Sequence, residues 1–188
     1  NRRVHGAMVD AATMHKQVLV LRLISKYRTL GMFNADLDPL HQHAVDYVAD
    51  LDLKTYGFTE ADMDTEFDVG SYKAGPSRMR LRDLVRSLQE TYTRTLGAEY
   101  MYISDTATKR FFQERLEPIR SRPTYTPELR RHILERLTAA ETLERYLHTK
   151  YVGQKRFSGE GGDTMIPMLD RLIEKAGEDS RTRLLVLM

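Results

Sequence analysis

The stretch Lys155–Leu169, KRFSGEGGDTMIPML, decides how the chain is organised. A basic pair leads into Gly159, Gly161 and Gly162 around one carboxylate, Glu160, and an apolar helical run follows. Glycines ahead of a helix N-terminus are one way to hold phosphate. They are also the ordinary chemistry of a tight corner between two helices. This is not a Walker loop, because no Lys-Ser or Lys-Thr pair follows the last glycine. Nor is it a dinucleotide fingerprint, because the strand should precede the glycines. Lys155 and Arg156 can neutralise an anion, and Glu160 can meet a cation or cap a helix. On pattern alone the tight turn is the plainer reading. Beyond it, Asp163 or Thr164 caps an expected helix that turns Met165, Leu169, Leu172, Ile173 and Ala176 inward. Pro167 falls in its first turn, where no amide acceptor is lost, and Gly177 is the expected stop. The closing RLLVLM run has the continuous apolarity of a parallel strand buried on both faces.

Outward from this corner the chain reads as helices. The 188 residues suffice for one domain or one and a half, and for a core without staples. AATMHKQVLVLRLISKYRTLG predicts a first helix facing inward with Val18, Leu21, Ile24 and Leu30, broadened by Leu19, Leu23 and Tyr27, and stopped by Gly31. A long irregular connection follows, in which Asp38-Pro39 forbids helix locally. Thr59 and Asp62 mark a short capped turn. Leu81, Leu84, Val85, Leu88, Tyr92 and Leu96 predict a second helix ending at Gly97. A third begins at a Ser104 or Asp105 cap. The fourth has Thr126 as cap, Pro127 at its first position, and Leu129, Ile133, Leu137, Ala140 and Leu147 as its stripe. The expected boundary lies near Tyr151, with helices over 1–150 and the first helix and strand of an α/β sheet over 151–188. The fold class is mainly α.

Composition removes several function classes. The 29 Lys and Arg nearly balance the 27 Asp and Glu, giving net charge +2. That is too even for the one-sided basic stripe that nucleic-acid binding uses. The chain has no cysteine, so disulfides and thiolate metal sites are excluded; this fits a cytoplasmic protein. No window approaches the ~20 apolar residues of a membrane span, and no signal-peptide pattern opens the chain. A start at Asn1 and an end on an unpartnered apolar run read as a piece of a longer protein.

Candidate chemical sets weigh little. His41 and His43 form a two-ligand pair without a third ligand placed by spacing. Glu144 and His148 share one helix face as an i, i+4 pair, the spacing of an ordinary surface contact. Asp36, Asp38, Asp46, Asp50 and Asp52 lack the alternation, central Gly and closing Glu of a calcium loop and read as turn and cap residues. No Cys nucleophile and no G-x-S-x-G elbow support hydrolase chemistry. Tyr92, Tyr100, Tyr102, Phe111 and Phe112, with Arg94, Lys109 and Arg110 nearby, fit core packing better than base stacking.

Four ordered blocks carry a family resemblance. Tyr27, Arg28, Asn34, Leu37, Asp38, Pro39 and Leu40 stand in KQVLVLRLISKYRTLGMFNADLDPL; GFTEADMDTEFDVGSY follows; Gly97, Glu99, Tyr100 and Met101 stand in TLGAEYMYISD; and LTAAETLERYLHTKYVGQKRFSGEGGDTMIPML closes the set. The sequence resembles the E1 component of 2-oxoglutarate dehydrogenase from about Lys16 to Met188. The resemblance implies a thiamine-diphosphate enzyme of the tricarboxylic acid cycle, working in a multienzyme complex. Such an enzyme decarboxylates 2-oxoglutarate and passes the succinyl group to the lipoyl arm of an E2 dihydrolipoyl succinyltransferase. It also implies a homodimer with Mg2+ bridging the cofactor diphosphate to the protein, and residues 151–188 as the opening of the thiamine-diphosphate-binding domain. The cofactor and metal ligands of the family, including a His-Arg-Gly-Arg turn, are expected beyond this stretch, so no catalytic or metal residue is assigned within it. Lys155, Arg156, Ser158 and Glu160 are the expected entrance residues, standing behind rather than on the cofactor. The stretch alone is expected to be inactive. Leu30 and Met32 stand where many members carry Arg and His. Gly159 stands where the family usually has Leu, which is expected to loosen the loop by roughly 1 kcal/mol if that Leu is buried. A non-catalytic helical interaction module, an RNA-binding helical domain and an E1 acting on 2-oxoadipate are the alternatives.

Overall fold

The computed structural model describes residues 11–178, so the strand expected over 183–188 lies outside the described residues. The chain is mainly helical, in the order α1 (Ala11–Leu30), β1 (Glu66–Asp68), β2 (Arg78–Arg80), α2 (Leu81–Tyr92), α3 (Thr106–Leu116), α4 (Pro127–Lys150) and α5 (Met165–Glu178). It divides into two compact units, one ending at Pro123 and the other beginning at Thr124.

The first unit is built on α1 and α2. The buried face of α1 is Val20, Leu23, Ile24 and Tyr27, an i, i+3, i+4, i+7 set. Val18 and Leu21, expected inside, are 59% and 42% exposed. The helix is apolar almost all round, so hydropathy alone did not choose the face. The choice lies with Leu81, Leu84, Val85, Leu88 and Tyr92 of α2, all of them buried against this core. Gly31 follows α1 and opens a short 3-10 turn, Gly31–Asn34, instead of terminating the chain direction. Its role is close approach: a Cβ there would lie 2.7 Å from Tyr92 Cβ and 2.9 Å from the Tyr92 carbonyl oxygen.

Helix α2 ends at Tyr92, five positions short of the expected Gly97, and Leu96 is 39% exposed. The cause is in the threonines. Thr91 and Thr93 hydroxyls donate back to the carbonyls of Ser87 and Gln89, a competition that weakens helices. The Arg94 carbonyl then accepts from Asp36 N–H at 2.7 Å, which fixes the exit path. Between α1 and α2 lies an antiparallel hairpin that the sequence pattern does not announce. Phe67 faces Met79 in register, both buried, between the outward pairs Glu66–Arg80 and Asp68–Arg78. Three-residue strands are too short to show a period, and such a hairpin persists because it packs on helices.

Local caps match the sequence reading. Asp105 caps α3, accepting from Thr108 N–H at 2.7 Å. Asp62 accepts from the Thr59 N–H at 2.9 Å and its hydroxyl at 3.1 Å, and it also pairs with Lys16 of α1. The Lys16 ammonium first, then the Thr59 amide, hold the Asp62 carboxyl below its usual range. A carboxyl whose pKa is depressed on folding contributes stability above the unfolded value, and this is lost as pH falls through the folded value. Asp62→Asn is therefore expected to lower the urea midpoint at neutral pH and to flatten its fall below about pH 4. Equal acid sensitivity in the parent and the variant would refute this.

The second unit is the α4–α5 pair. Thr126 accepts from Leu129 N–H at 3.2 Å, with Pro127 in the first turn. Leu129, Ile133, Leu137, Ala140 and Leu147 are half-buried, as the stripe predicts. Thr126→Ala is expected to cost about 1 kcal/mol in a denaturation series, the usual value of such a cap. In α5 the half-buried residues are Pro167, Leu169, Asp170 and Ala176. Met165, Leu172 and Ile173, expected inside, are each about half exposed. A polar contact turns the helix this way: His132 Nε2 of α4 lies 2.6 Å from Asp170 Oδ2. Thr164 is the N-cap, its carbonyl accepting from Met168 N–H at 3.2 Å. Gly177 lies inside α5, which runs to the last described residue.

Candidate functional site

The loop between α4 and α5 carries Lys155, Arg156, Ser158 and Glu160. Two side chains of α4 fasten it. Glu144 Oε1 accepts from the Gly159 N–H at 2.8 Å, and Arg156 Nη2 lies 2.8 Å from His148 Nδ1. The i, i+4 pair Glu144 and His148 thus faces the loop as two anchors, four residues apart on one side of the helix. Within the loop, Ser158 Oγ accepts from Glu160 N–H at 3.1 Å, and Gly162 N–H donates to the Gly159 carbonyl at 2.8 Å. Gly161 has φ 84°, the left-handed region in which a side chain is strained. The corner is therefore a tight turn by construction.

These bonds divide the four candidates. Arg156 is committed to His148, and Ser158 shapes the turn. Lys155 lies 5.5 Å from the exposed Phe157 ring centroid, and Glu160 forms no ion pair among the described residues. Of the four candidates, Lys155 and Glu160 are thus the charges left without an ion-pair partner among the described residues, as is Asp163 further along the loop. An open hollow beside α4 is bordered by Glu144, His148, Arg156, Phe157, Ser158 and Glu160.

Gly159 needs no left-handed backbone, since its φ lies outside that region. A Cβ there would come 3.3 Å from Glu144 Oε1, the mobile end of a side chain. Gly159→Leu is sterically permitted once Glu144 gives by a few tenths of an ångström. Leu30, the other departure with a defined contact, packs at the edge of the core.

A second polar cluster lies inside the first unit. Glu117, directly after α3, has no exposed surface. Its Oε1 accepts from Arg28 Nε at 2.8 Å and from the Tyr92 hydroxyl at 2.7 Å, and its Oε2 accepts from Lys73 N–H at 2.7 Å. Arg28 also donates to Ser71 Oγ at 2.9 Å and to the Ser71 carbonyl at 3.2 Å, while Tyr92 and Tyr100 hydroxyls lie 2.9 Å apart. Burial opposes the Arg28 charge, but the Glu117 hydrogen bond and charge prevail and raise its pKa. Burial, then the neighbouring Glu117 charge, pushes the Tyr92 hydroxyl far above its usual value. Burial likewise pushes Tyr27 up to about 12. The Arg28, Tyr92, Tyr100 and Glu117 side chains are buried, and Ser71 and Lys73 join them from an exposed hairpin loop. This is a structural lock, joining α1, the hairpin loop, α2 and the end of α3. Sequence reasoning missed Glu117, because a Glu at a helix end before Pro118 looks like a solvated terminus.

The remaining sets are local. Asp38 accepts from Leu40, Gln42 and His43 N–H groups. Asp52 caps a 3-10 turn through Lys54 N–H, and Asp50 pairs with Lys26 at 2.5 Å. His41 and His43 are exposed. Tyr92 and Tyr100 are buried and Phe112 stacks on Tyr100, whereas Tyr102 and Phe111 are exposed at 81% and 50%. A magnesium–diphosphate group needs several oxygen ligands on the metal and donors on the phosphates. Among the described residues no three His, Asp or Glu side chains are grouped to hold a metal ion, and one of the loop's two cations is already engaged. The described residues do not fit that group. No described helix is long and apolar enough to cross a membrane.

No family model matches the chain. Among curated proteins it is similar to the 2-oxoglutarate dehydrogenase E1 component of Cupriavidus necator, 52% identical over 171 residues, covering 91% of this chain and 18% of that protein. The E1 component of Azotobacter vinelandii is 46% identical over the same shares. That of Haemophilus influenzae is 39% identical over 88% of this chain and 18% of its own length. The chain thus spans about a fifth of the length of the curated relatives it matches. With identities of 39–52% over about nine tenths of its length, the chain belongs to the 2-oxoglutarate dehydrogenase E1 family, of whose members it matches about a fifth.

Proposed function

We propose that this chain is the part of an oxidative 2-oxoglutarate decarboxylase that supplies an entrance loop and the helix that anchors it. The carrying observation is the 52% identity over 91% of the chain to a protein named as that E1 component. The whole enzyme would use thiamine diphosphate with Mg2+, held by residues outside this stretch. It would pass a succinyl group to the lipoyl arm of an E2 dihydrolipoyl succinyltransferase, as a cytoplasmic homodimer in the tricarboxylic acid cycle. When bound, thiamine diphosphate supplies the carbanion stabilisation that decarboxylation requires. Lys155 is the loop cation available to an incoming dicarboxylate, and Glu160 is a carboxylate available to a neighbouring basic segment or, by repulsion, to orient the substrate. Arg156 and Ser158 hold the loop's shape. Helix α4 backs the loop, and α5 opens the cofactor-binding domain.

The full-length enzyme is expected to decarboxylate 2-oxoglutarate with thiamine diphosphate, Mg2+ and an artificial electron acceptor, and the 188-residue chain alone is expected to show none. Lys155→Met and Glu160→Gln in the full-length enzyme should shift KM for 2-oxoglutarate more than they lower kcat. Turnover by the isolated chain, or kinetics indifferent to both substitutions, would defeat the reading. Comparing 2-oxoglutarate with 2-oxoadipate as substrates in the same assay assigns the chain length of the substrate.

A further inference from the structure

We propose that Glu144 and His148 are positioning residues that latch the Lys155–Glu160 loop onto α4 and so fix where Lys155 and Glu160 present their charges. The functional part of this inference rests on the entrance role given above; the latch itself rests on geometry alone. Glu144 reaches 15 positions along the sequence to the Gly159 N–H, and His148 reaches 8 to Arg156. An arginine can only donate, so His148 Nδ1 is the acceptor and its ring proton resides on Nε2. The two anchors hold different parts of the loop, one a backbone amide and the other a side chain. Position 159 is held through its N–H, and a Cβ there would press on the same Glu144 Oε1 at 3.3 Å. Between the anchors lie only Phe157 and Ser158, and Ser158 is tied to the Glu160 amide. Lys155 and Glu160 flank the latched segment directly. Releasing either anchor therefore frees one end of the segment that carries the available charges. The Glu144 contact is to an uncharged amide. Its isosteric amide, Gln, keeps the accepting oxygen, and Asn at 148 keeps an acceptor where Nδ1 stands.

The test uses the full-length enzyme with Glu144→Ala, His148→Ala and the rescuing pair Glu144→Gln and His148→Asn. Alanine is the best helix former, so α4 keeps its helicity. Trypsin cleavage after Lys155 and Arg156 is followed against cleavage elsewhere in the chain. Each alanine variant is expected to be cut at the loop about fivefold faster, the factor set by one hydrogen bond of ordinary net strength. The Gln and Asn variants are expected to match the parent. KM for 2-oxoglutarate should rise in the alanine variants by more than kcat falls, and the rescuing variants should restore it. Unchanged loop cleavage in both alanine variants overturns the latch. Rescuing variants that behave like alanine overturn its hydrogen-bond basis. Faster cleavage with unmoved KM and kcat overturns the positioning role. Should the full-length enzyme not turn over 2-oxoglutarate at all, the functional reading fails while the cleavage comparison still decides the latch.

Discussion

Glu117→Ala is expected to destabilise the first unit by roughly 3–5 kcal/mol, the cost of stranding one partner of a buried ion pair. The loss goes beyond one charge pair. With the carboxylate gone, the Arg28 side chain, 8% exposed, keeps its charge without a counter-ion. The Tyr92 hydroxyl and the Lys73 N–H lose their acceptor as well. Glu117→Gln is the informative comparison. Its carbonyl oxygen can still accept from Arg28 and Tyr92, but its amide would then face the Lys73 N–H, donor against donor. It should fall between the parent and the alanine variant. The double variant Arg28→Met/Glu117→Leu removes both charges, which in many proteins is nearly neutral. Here it still removes the Glu117 acceptor of the Tyr92 hydroxyl and the Lys73 N–H, leaving Tyr92 with the Tyr100 hydroxyl alone, so it should recover only part of the loss. Urea midpoints of the four chains, followed by circular dichroism, measure this. A Glu117→Ala chain as stable as the parent would show that the lock contributes nothing.

Gly31→Ala is expected to cost about 1–3 kcal/mol, the range for overpacking a well-filled contact. Two of its three closest encounters are with Tyr92 backbone atoms, the carbonyl oxygen at 2.9 Å and the carbonyl carbon at 3.4 Å. A rotamer change cannot relieve a backbone contact, so the end of α1 must move away from the end of α2. That movement would also disturb Tyr92, a member of the Glu117 lock. Gly31→Ala and Tyr92→Phe should therefore combine non-additively in a double-mutant cycle, as substitutions sharing one contact do. Strict additivity would refute the coupling.

Local signals were legible wherever they were self-contained. Thr126-Pro127 announced α4, Asp105 announced α3, and the Thr59–Asp62 turn needed only four residues. The stripe of α4 follows the i, i+4 spacing of Leu129, Ile133 and Leu137, although Leu134, Leu143 and Tyr146 leave a second apolar face exposed. What depends on a distant partner was not. The buried face of α1 is chosen by α2 and the hairpin, and Val18 and Leu21 lost to Val20 because of where those elements lie. The α5 face is turned by Asp170 meeting His132, a polar pair that a count of apolar residues passes over. The candidate site divides in the same way. The basic pair and glycines at 155–162 drew attention as a motif, and Glu144 and His148 were noticed as an i, i+4 pair. That the pair serves as the loop's anchors required the fold.

The Arg28–Glu117 pair joins residues 89 positions apart. During synthesis, α1 emerges long before its counter-ion does. Until residue 117 has left the ribosome, a nascent chain that buried the Arg28 side chain would bury an unbalanced cation. The first unit is therefore built to complete its folding late, when the end of α3 arrives, because such long-range closure delays folding. Ribosome-stalled chains ending shortly before and shortly after Glu117 clears the exit tunnel should differ sharply in protease resistance.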